Sequence, residues 1–430
     1  MNSVGRVGQL VGNGPCDRSP LDRARGDPEP VEGSQADAPL VGQDCILPTG
    51  SQIQNLRHHD RASRSRRPGR SRGRRRFLGL VAGGVVAAGA GGWLGARLLG
   101  GTGGPSHPAA KALHTTGGQA PAAPPASSPP PVVAKVTHAG AVGADSQVAP
   151  GVVRDMVDAA MSSLTGKKER AAAWASLFSP DDVVAIKVNC LAAPRASTHP
   201  EIADAIVAGL RAAGVPGESI IIYDRLNREL ERAGFALNTG RGVRCFGSDV
   251  SGYDAEPIEA GSVGSCLSRI VSEMCTAIIN VPLVKDHDLA GVTIALKNHF
   301  GSIHNPNKQH ENRCCPQVAD VNLFPALRAK QRLVIADALT ITYDGGPAYK
   351  PNACAAYNGI LAARDAVALD AVGLDIIERL RRRAGLPTLA QEGRHPDYIA
   401  VAADGDHNLG AADLSRIRRI DIGLGEGAQA

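Results

Sequence analysis

Three observations predict an α/β fold with a largely parallel sheet flanked by helices. Short β-branched runs recur at Asp182–Val188, Ser219–Asp224, Thr276–Val281 and Arg332–Asp337, as buried strands require. Between the first two, Ser197-Thr198-His199-Pro200-Glu201 opens a helix running to about Ala213, so strand, helix and strand form a right-handed parallel unit. Aromatic residues are only 3% of the chain, which points to a core of Ala, Val, Ile and Leu rather than a β-sandwich. A single body and two lobes around a cleft are both open at this stage.

The 430 residues suffice for one large or two medium domains. The net charge of +5 is carried by arginines crowded between residues 57 and 76, and the remainder is nearly balanced. No basic helix or aromatic-interleaved patch supports nucleic-acid binding. Nine cysteines are present without a Cys-x-x-Cys, so no ferredoxin-type Fe-S motif is visible. Adjacent Cys314 and Cys315 suit separate disulfides, metal ligation or free thiols.

In chain order, residues 1–70 lack hydrophobic periodicity and read as disordered. A start assigned too far upstream would also produce them, with the product beginning shortly before Arg74. Over residues 71–100, Arg74-Arg75-Arg76-Phe77-Leu78-Gly79 and the apolar run Leu80–Leu99 resemble a twin-arginine export signal, with Gly73 where Ser or Thr is usual. The alternative is a single-span anchor. Ala110-Lys111-Ala112 fits a small-x-small cleavage pattern, and residues 101–133 form a Gly/Pro/Ala-rich linker. The expected partners are the twin-arginine machinery and a small-molecule ligand, with membrane contact only through the signal or anchor. The expected location is periplasmic, or anchored and facing outward.

The α/β domain spans 134–430. Its first helices fall at Val152–Leu164 and Ala171–Phe178, and Ser197 or Thr198 is the expected cap of the helix at Pro200. Val292–Phe300 has a helical face, Val321–Lys330 reads as one helix, and Gly359–Asp365 is strand-like. Ala366–Arg382 is an amphipathic helix, and Tyr398–Ala402 and Ile417–Ile422 read as late edge strands.

Polar residues gather where the proposed strands end: Lys187 with Asn189, Asp224, Lys285 and Asp337. Ligands of open parallel sheets bind outside those ends, so the set points to one cleft, although each aspartate alone also suits turn capping. Lys187, Lys285, Lys297 and His287 are the candidate catalytic residues, able to polarise an anion or move a proton. Asn189, His199, Asn298, Asp224 and Asp337 are candidate substrate-binding residues. His287, His299, His304 and His310, with Asp286 or Asp288, are candidate ligands for a transition metal. Their spacing matches no compact zinc motif, so the fold would have to assemble them. Asp344-Gly345-Gly346-Pro347 reads as a turn. No nucleophile elbow, phosphate loop or dinucleotide-binding glycine motif occurs.

Lys187-Val-Asn189, Ser197-Thr-His-Pro200 and Tyr223-Asp224 resemble the first half of the domain-of-unknown-function family 362. Asn280-Val-Pro-Leu-Val-Lys285-Asp-His287, Gly291–Asn298 with Gly301, Ile335-Ala-Asp337 and Asp365–Asp370 resemble its second half. The resemblance spans roughly residues 180–380. It implies the α/β fold and a site at Lys187, Asn189, His199, Lys285, His287, Lys297, Asn298 and Asp337. Many relatives carry an added ferredoxin-like cluster domain, which this sequence lacks. The expected function is an exported enzyme acting on a small anionic or carbonyl-containing molecule, with metal dependence open. The rival is a periplasmic protein that captures an anion or metal without turnover.

Overall fold

Parallel strands buried on both faces are apolar along most of their length, and three four-residue runs meet that demand up to their last residue. Val184–Lys187, Ile220–Tyr223 and Ala277–Asn280 are each buried throughout. The computed structural model describes residues 129–144 and 146–425. The expected amino-terminal segment, export signal and most of the linker lie outside the described residues.

The described chain opens on β1 (Val132–His138), α1 (Pro150–Thr165) and α2 (Arg170–Ala175). The βαβ unit follows as β2 (Val184–Lys187), α3 (Pro200–Ala212) and β3 (Ile220–Tyr223). Next come α4 (Asn227–Arg232), β4 (Arg244–Cys245), α5 (Ser248–Ser251) and a ribbon of β5 (Ile258–Ala260) and β6 (Val263–Ser265). The central stretch is β7 (Ala277–Asn280), β8 (Leu283–His287), β9 (Gly291–Thr293) and α6 (Ala295–Asn298). Then follow α7 (Gln317–Asn322), α8 (Pro325–Lys330), β10 (Gln331–Thr342), β11 (Cys354–Ala363), α9 (Ala366–Arg383), α10 (Tyr398–Ala402) and β12 (Arg418–Leu424).

One ten-stranded sheet runs β12-β1-β11-β10-β7-β2-β3-β4, with β8 on β10 and β9 on β8. β10, β7, β2, β3 and β4 are mutually parallel. β11 is antiparallel to both β10 and β1, so β1 runs parallel to β10. The described residues fall into one unit rather than two lobes.

Alternation along the strands divides the core. Val184, Ile186, Ile220, Ile222 and Ile279 face α1, α2 and α3, while Ala185, Ile221 and Ile278 face the side of α9. α1 follows from its sequence: Pro150 opens it, Val153, Met156, Val157, Ala160 and Met161 form the buried stripe, and left-handed Gly166 closes it. Gly209 lets α3 lie against Trp174, because a Cβ there would sit 2.1 Å from the indole.

Several expectations change. Tyr398–Ala402 is helical, not an edge strand: its buried residues, Tyr398, Ile399 and Ala402, have helical spacing, and the Tyr398 hydroxyl donates to Val292 O. Val321–Lys330 is two helices because Pro325 disfavours helical backbone at Phe324. Val292–Phe300 divides into β9, α6 and a 3₁₀ turn, since Gly291 at φ +79° closes a hairpin with β8. Neither Ser197 nor Thr198 caps α3; the cap position is His199, whose N–H donates to Asp337 Oδ2 at 2.9 Å. All seven cysteines among the described residues are free thiols. No helix among the described residues is long and apolar enough to cross a membrane.

Candidate functional site

The direction of winding reverses at β2. From β2 the chain steps to β3 and β4 on one side, then returns to β7 and β10 on the other. Connections that leave in opposite directions open a crevice beyond the carboxyl ends of the two strands at the switch. At those ends Lys187 lies in register with Asn280 on β7 and Tyr223 on β3.

Lys187 is buried, and its ammonium donates to Asp224 Oδ1 at 2.8 Å, Val188 O at 2.7 Å and Asn298 Oδ1 at 3.3 Å. Asp224 also accepts the N–H groups of Cys190 at 2.6 Å and Arg225 at 2.8 Å. Asn298 Oδ1 takes a further bond from Asn189 at 3.0 Å, while its amide donates to Asn280 Oδ1 at 2.8 Å. This network is complete on every side, as a buried ion pair requires. A Cβ on Gly301 would lie 2.7 Å from the Lys187 ammonium and 2.8 Å from Asp224 Oδ1. Gly301→Ala is therefore expected to cost about 1–3 kcal/mol by overpacking, read as a lower urea midpoint at unchanged slope. A midpoint within error of the wild type would mean that the pair can move aside.

Lys285 and Lys297 are buried without such a partner. Lys285 is 1% exposed and donates to Asn189 Oδ1 at 3.0 Å and Ala196 O at 3.2 Å. Lys297 is 6% exposed; it donates to His310 Nε2 at 3.1 Å and lies 4.4 Å over the Phe300 ring. Among the described residues no carboxylate forms an ion pair with either. Burial pushes the Lys285 ammonium down to about 8, with the Lys297 charge adding to the shift and Asp224 opposing it. Burial likewise takes Lys297 to about 8.

His310 donates from Nδ1 to Pro306 O at 2.9 Å, which leaves Nε2 as the acceptor for Lys297. His287 stacks on it with ring centroids 5.8 Å apart. Nδ1 of His287 accepts the N–H groups of Leu289 and Ala290, both at 3.2 Å, so the neutral ring carries its proton on Nε2. Burial pushes His287 well below its ordinary value, with the Lys297 charge adding to the effect, and takes His310 to about 4.

The other two histidines lie apart. His299 is buried behind the network, with Nε2 2.7 Å from Gln331 Oε1 and Nδ1 3.3 Å from Ser302 Oγ. His304 is exposed and edge-on to Tyr253, at 5.0 Å between centroids. Asp286 points to the opposite side of β8, where Arg394 donates to it at 2.6 Å and Gly346 N–H at 2.9 Å. The Asp344–Pro347 turn thus packs on β8. The four-histidine set with Asp286 is not assembled, and no group of three or more His, Cys, Asp or Glu among the described residues could hold a metal ion.

Two contributors were not among the candidate site residues, although both fall in segments that carry the resemblance. Asn280 carries the bond that fixes Asn298, and only strand register reveals it. Asp370 accepts the N–H groups of Ala295 at 2.7 Å and Leu296 at 3.1 Å, holding the start of α6 and so the position of Lys297 and Asn298. Its spacing from α6 leaves no local signal. A separate cavity of about 390 Å³ is lined by Tyr343, Asp344, Lys350, Asn352, Ala384 and Leu386 among others. It contains none of the crevice residues.

Residues 184–375 match the family described as Domain of unknown function (DUF362). The match supports that family over a stretch from β2 into α9 that includes every residue of the network. No curated protein and no solved structure matches the chain.

Proposed function

We propose that this domain holds a small oxyanion, a carboxylate or phosphate group, between Lys285 and Lys297 at the mouth of the crevice. One observation carries the reading: two buried ammonium groups lack a carboxylate partner, while Lys187 beside them has Asp224. Buried charge is normally paired, because removal from water is costly. A ligand anion is the missing partner. With both lysines near 8, either can give or take a proton at neutral pH. The proposal therefore extends to an enzyme acting on a small anionic or carbonyl-containing molecule. Export by the twin-arginine route is proposed separately, and its support is Arg74-Arg75-Arg76 with the apolar run after it.

Isothermal titration of the full chain with inorganic phosphate and with succinate tests the site. One of them is expected to bind, and Lys285→Met and Lys297→Met each to weaken it about 10-fold or more, the loss of a charge-assisted bond. Absence of binding, or equal affinity in both variants, would sink the reading.

A further inference from the structure

We infer that His199 and Asp337 form a proton-transfer dyad facing the same crevice, with His199 as the acid–base group and Asp337 as its positioning residue. The ligand it would serve is the oxyanion proposed above; the dyad itself stands on separate geometry. His199 Nδ1 lies 2.7 Å from Asp337 Oδ2. A carboxylate there fixes the proton on Nδ1 and leaves Nε2 bare for a ligand. Asp337 is held in turn: Oδ1 accepts the Leu339 N–H at 3.0 Å, and Oδ2 accepts the His199 N–H at 2.9 Å. The side chain of Asp337 is 0% exposed and that of His199 25%, so only the imidazole can touch a ligand.

Anchoring α3 on β10 needs only the backbone bond from His199 N–H. The ring bond is additional, and it is the arrangement that orients an imidazole and stabilises its protonated form. The dyad is also adjacent to Lys285. Asp337 is in register with Leu283 on β8, two residues before Lys285, and Lys285 donates to Ala196 O, three residues before His199.

In the forward step, Nε2 takes a proton from an acidic C–H or O–H of the bound oxyanion. The bonding electron pair stays on the ligand, and the Lys285 ammonium offsets the charge that grows there. The imidazolium returns the proton in the second step, so no other reactant is needed. The charged groups acting on His199 are Asp337 from β10 and Glu201 from α3; both favour its protonated form, the former most, and burial opposes them.

Nitrogen-15 NMR of the full chain, titrated with pH in the presence and absence of succinate and phosphate, tests this. A proton on Nδ1, a bare Nε2, and a pKa that falls by about one unit or more in Asp337→Asn are expected. Bound anion should raise that pKa further. A proton on Nε2, or an anion that binds while the His199 ring signals stay fixed, would overturn the dyad. If neither anion binds, the lysine reading fails and the dyad is judged on its tautomer and on Asp337→Asn. Should that variant not fold, the wild-type tautomer decides.

Discussion

Asp224→Ala is expected to destabilise the protein by about 3–5 kcal/mol, the cost of leaving a buried charge without its partner. The Lys187 ammonium would keep Val188 O and Asn298 Oδ1 but lose the carboxylate at 2.8 Å. The backbone N–H groups of Cys190 and Arg225 would lose their acceptor as well. Urea unfolding measures the loss. The pair is a liability only when broken, so Lys187→Met combined with Asp224→Leu should recover most of it. A loss below about 1 kcal/mol in the single variant would mean that water replaces Asp224, and that the crevice is wetter at Lys187 than its burial implies.

Between pH 8 and 9, Lys285 and Lys297 are expected to contribute a rise of about 1–2 kcal/mol to the stability of the ligand-free protein, read as the difference between the wild type and the Lys285→Met/Lys297→Met variant. Lys285 and Lys297 have folded values near 8 against an ordinary value of 10.5. Between those limits the unfolded chain binds more protons than the folded one, so stability rises with pH. Buried thiols act in the opposite sense: Cys245 is pushed up to about 12 and Cys275 to about 11, so the folded state keeps protons that the unfolded state sheds. Asp370, raised to about 8, and the buried thiols of Cys190, Cys314 and Cys315 act in the same opposing sense, so only the difference between the wild type and the double variant isolates the lysines. Lys285→Met with Lys297→Met should flatten the rise and stabilise the free protein at pH 7 by about 1–4 kcal/mol. Saturating wild-type protein with a bound anion should flatten it too. An unchanged slope in the double variant would assign it to other groups.

The apolar runs of β2, β3 and β7 identified themselves because a strand buried on both faces admits few polar residues. Pro200 marked the start of α3 just as directly. Lys187 and Asp224 were legible as a site since both stand where such runs stop. Lys285-Asp286-His287 was less so: it follows a proposed strand as a polar run, yet it is itself a buried strand whose side chains point to both sides of the sheet. The histidines show the same limit from the other direction. His287 and His310 stack although they are 23 positions apart in sequence, whereas His299 and His304, nearer in sequence, face different surroundings. Nearness along the chain carried no information about convergence there. Gly301 and Asp370 act through close approach and a distant backbone bond, which no local pattern encodes.

The direction of β1 has a consequence for how the domain can be attached to anything. β1 runs parallel to β10 and therefore to β2 and β7, so Val132 starts at the edge of the sheet opposite the one where those strands end. Chain arriving from the amino-terminal side meets the domain at its back. The entry of the chain into the sheet and the mouth of the crevice thus lie at opposite ends of its parallel strands.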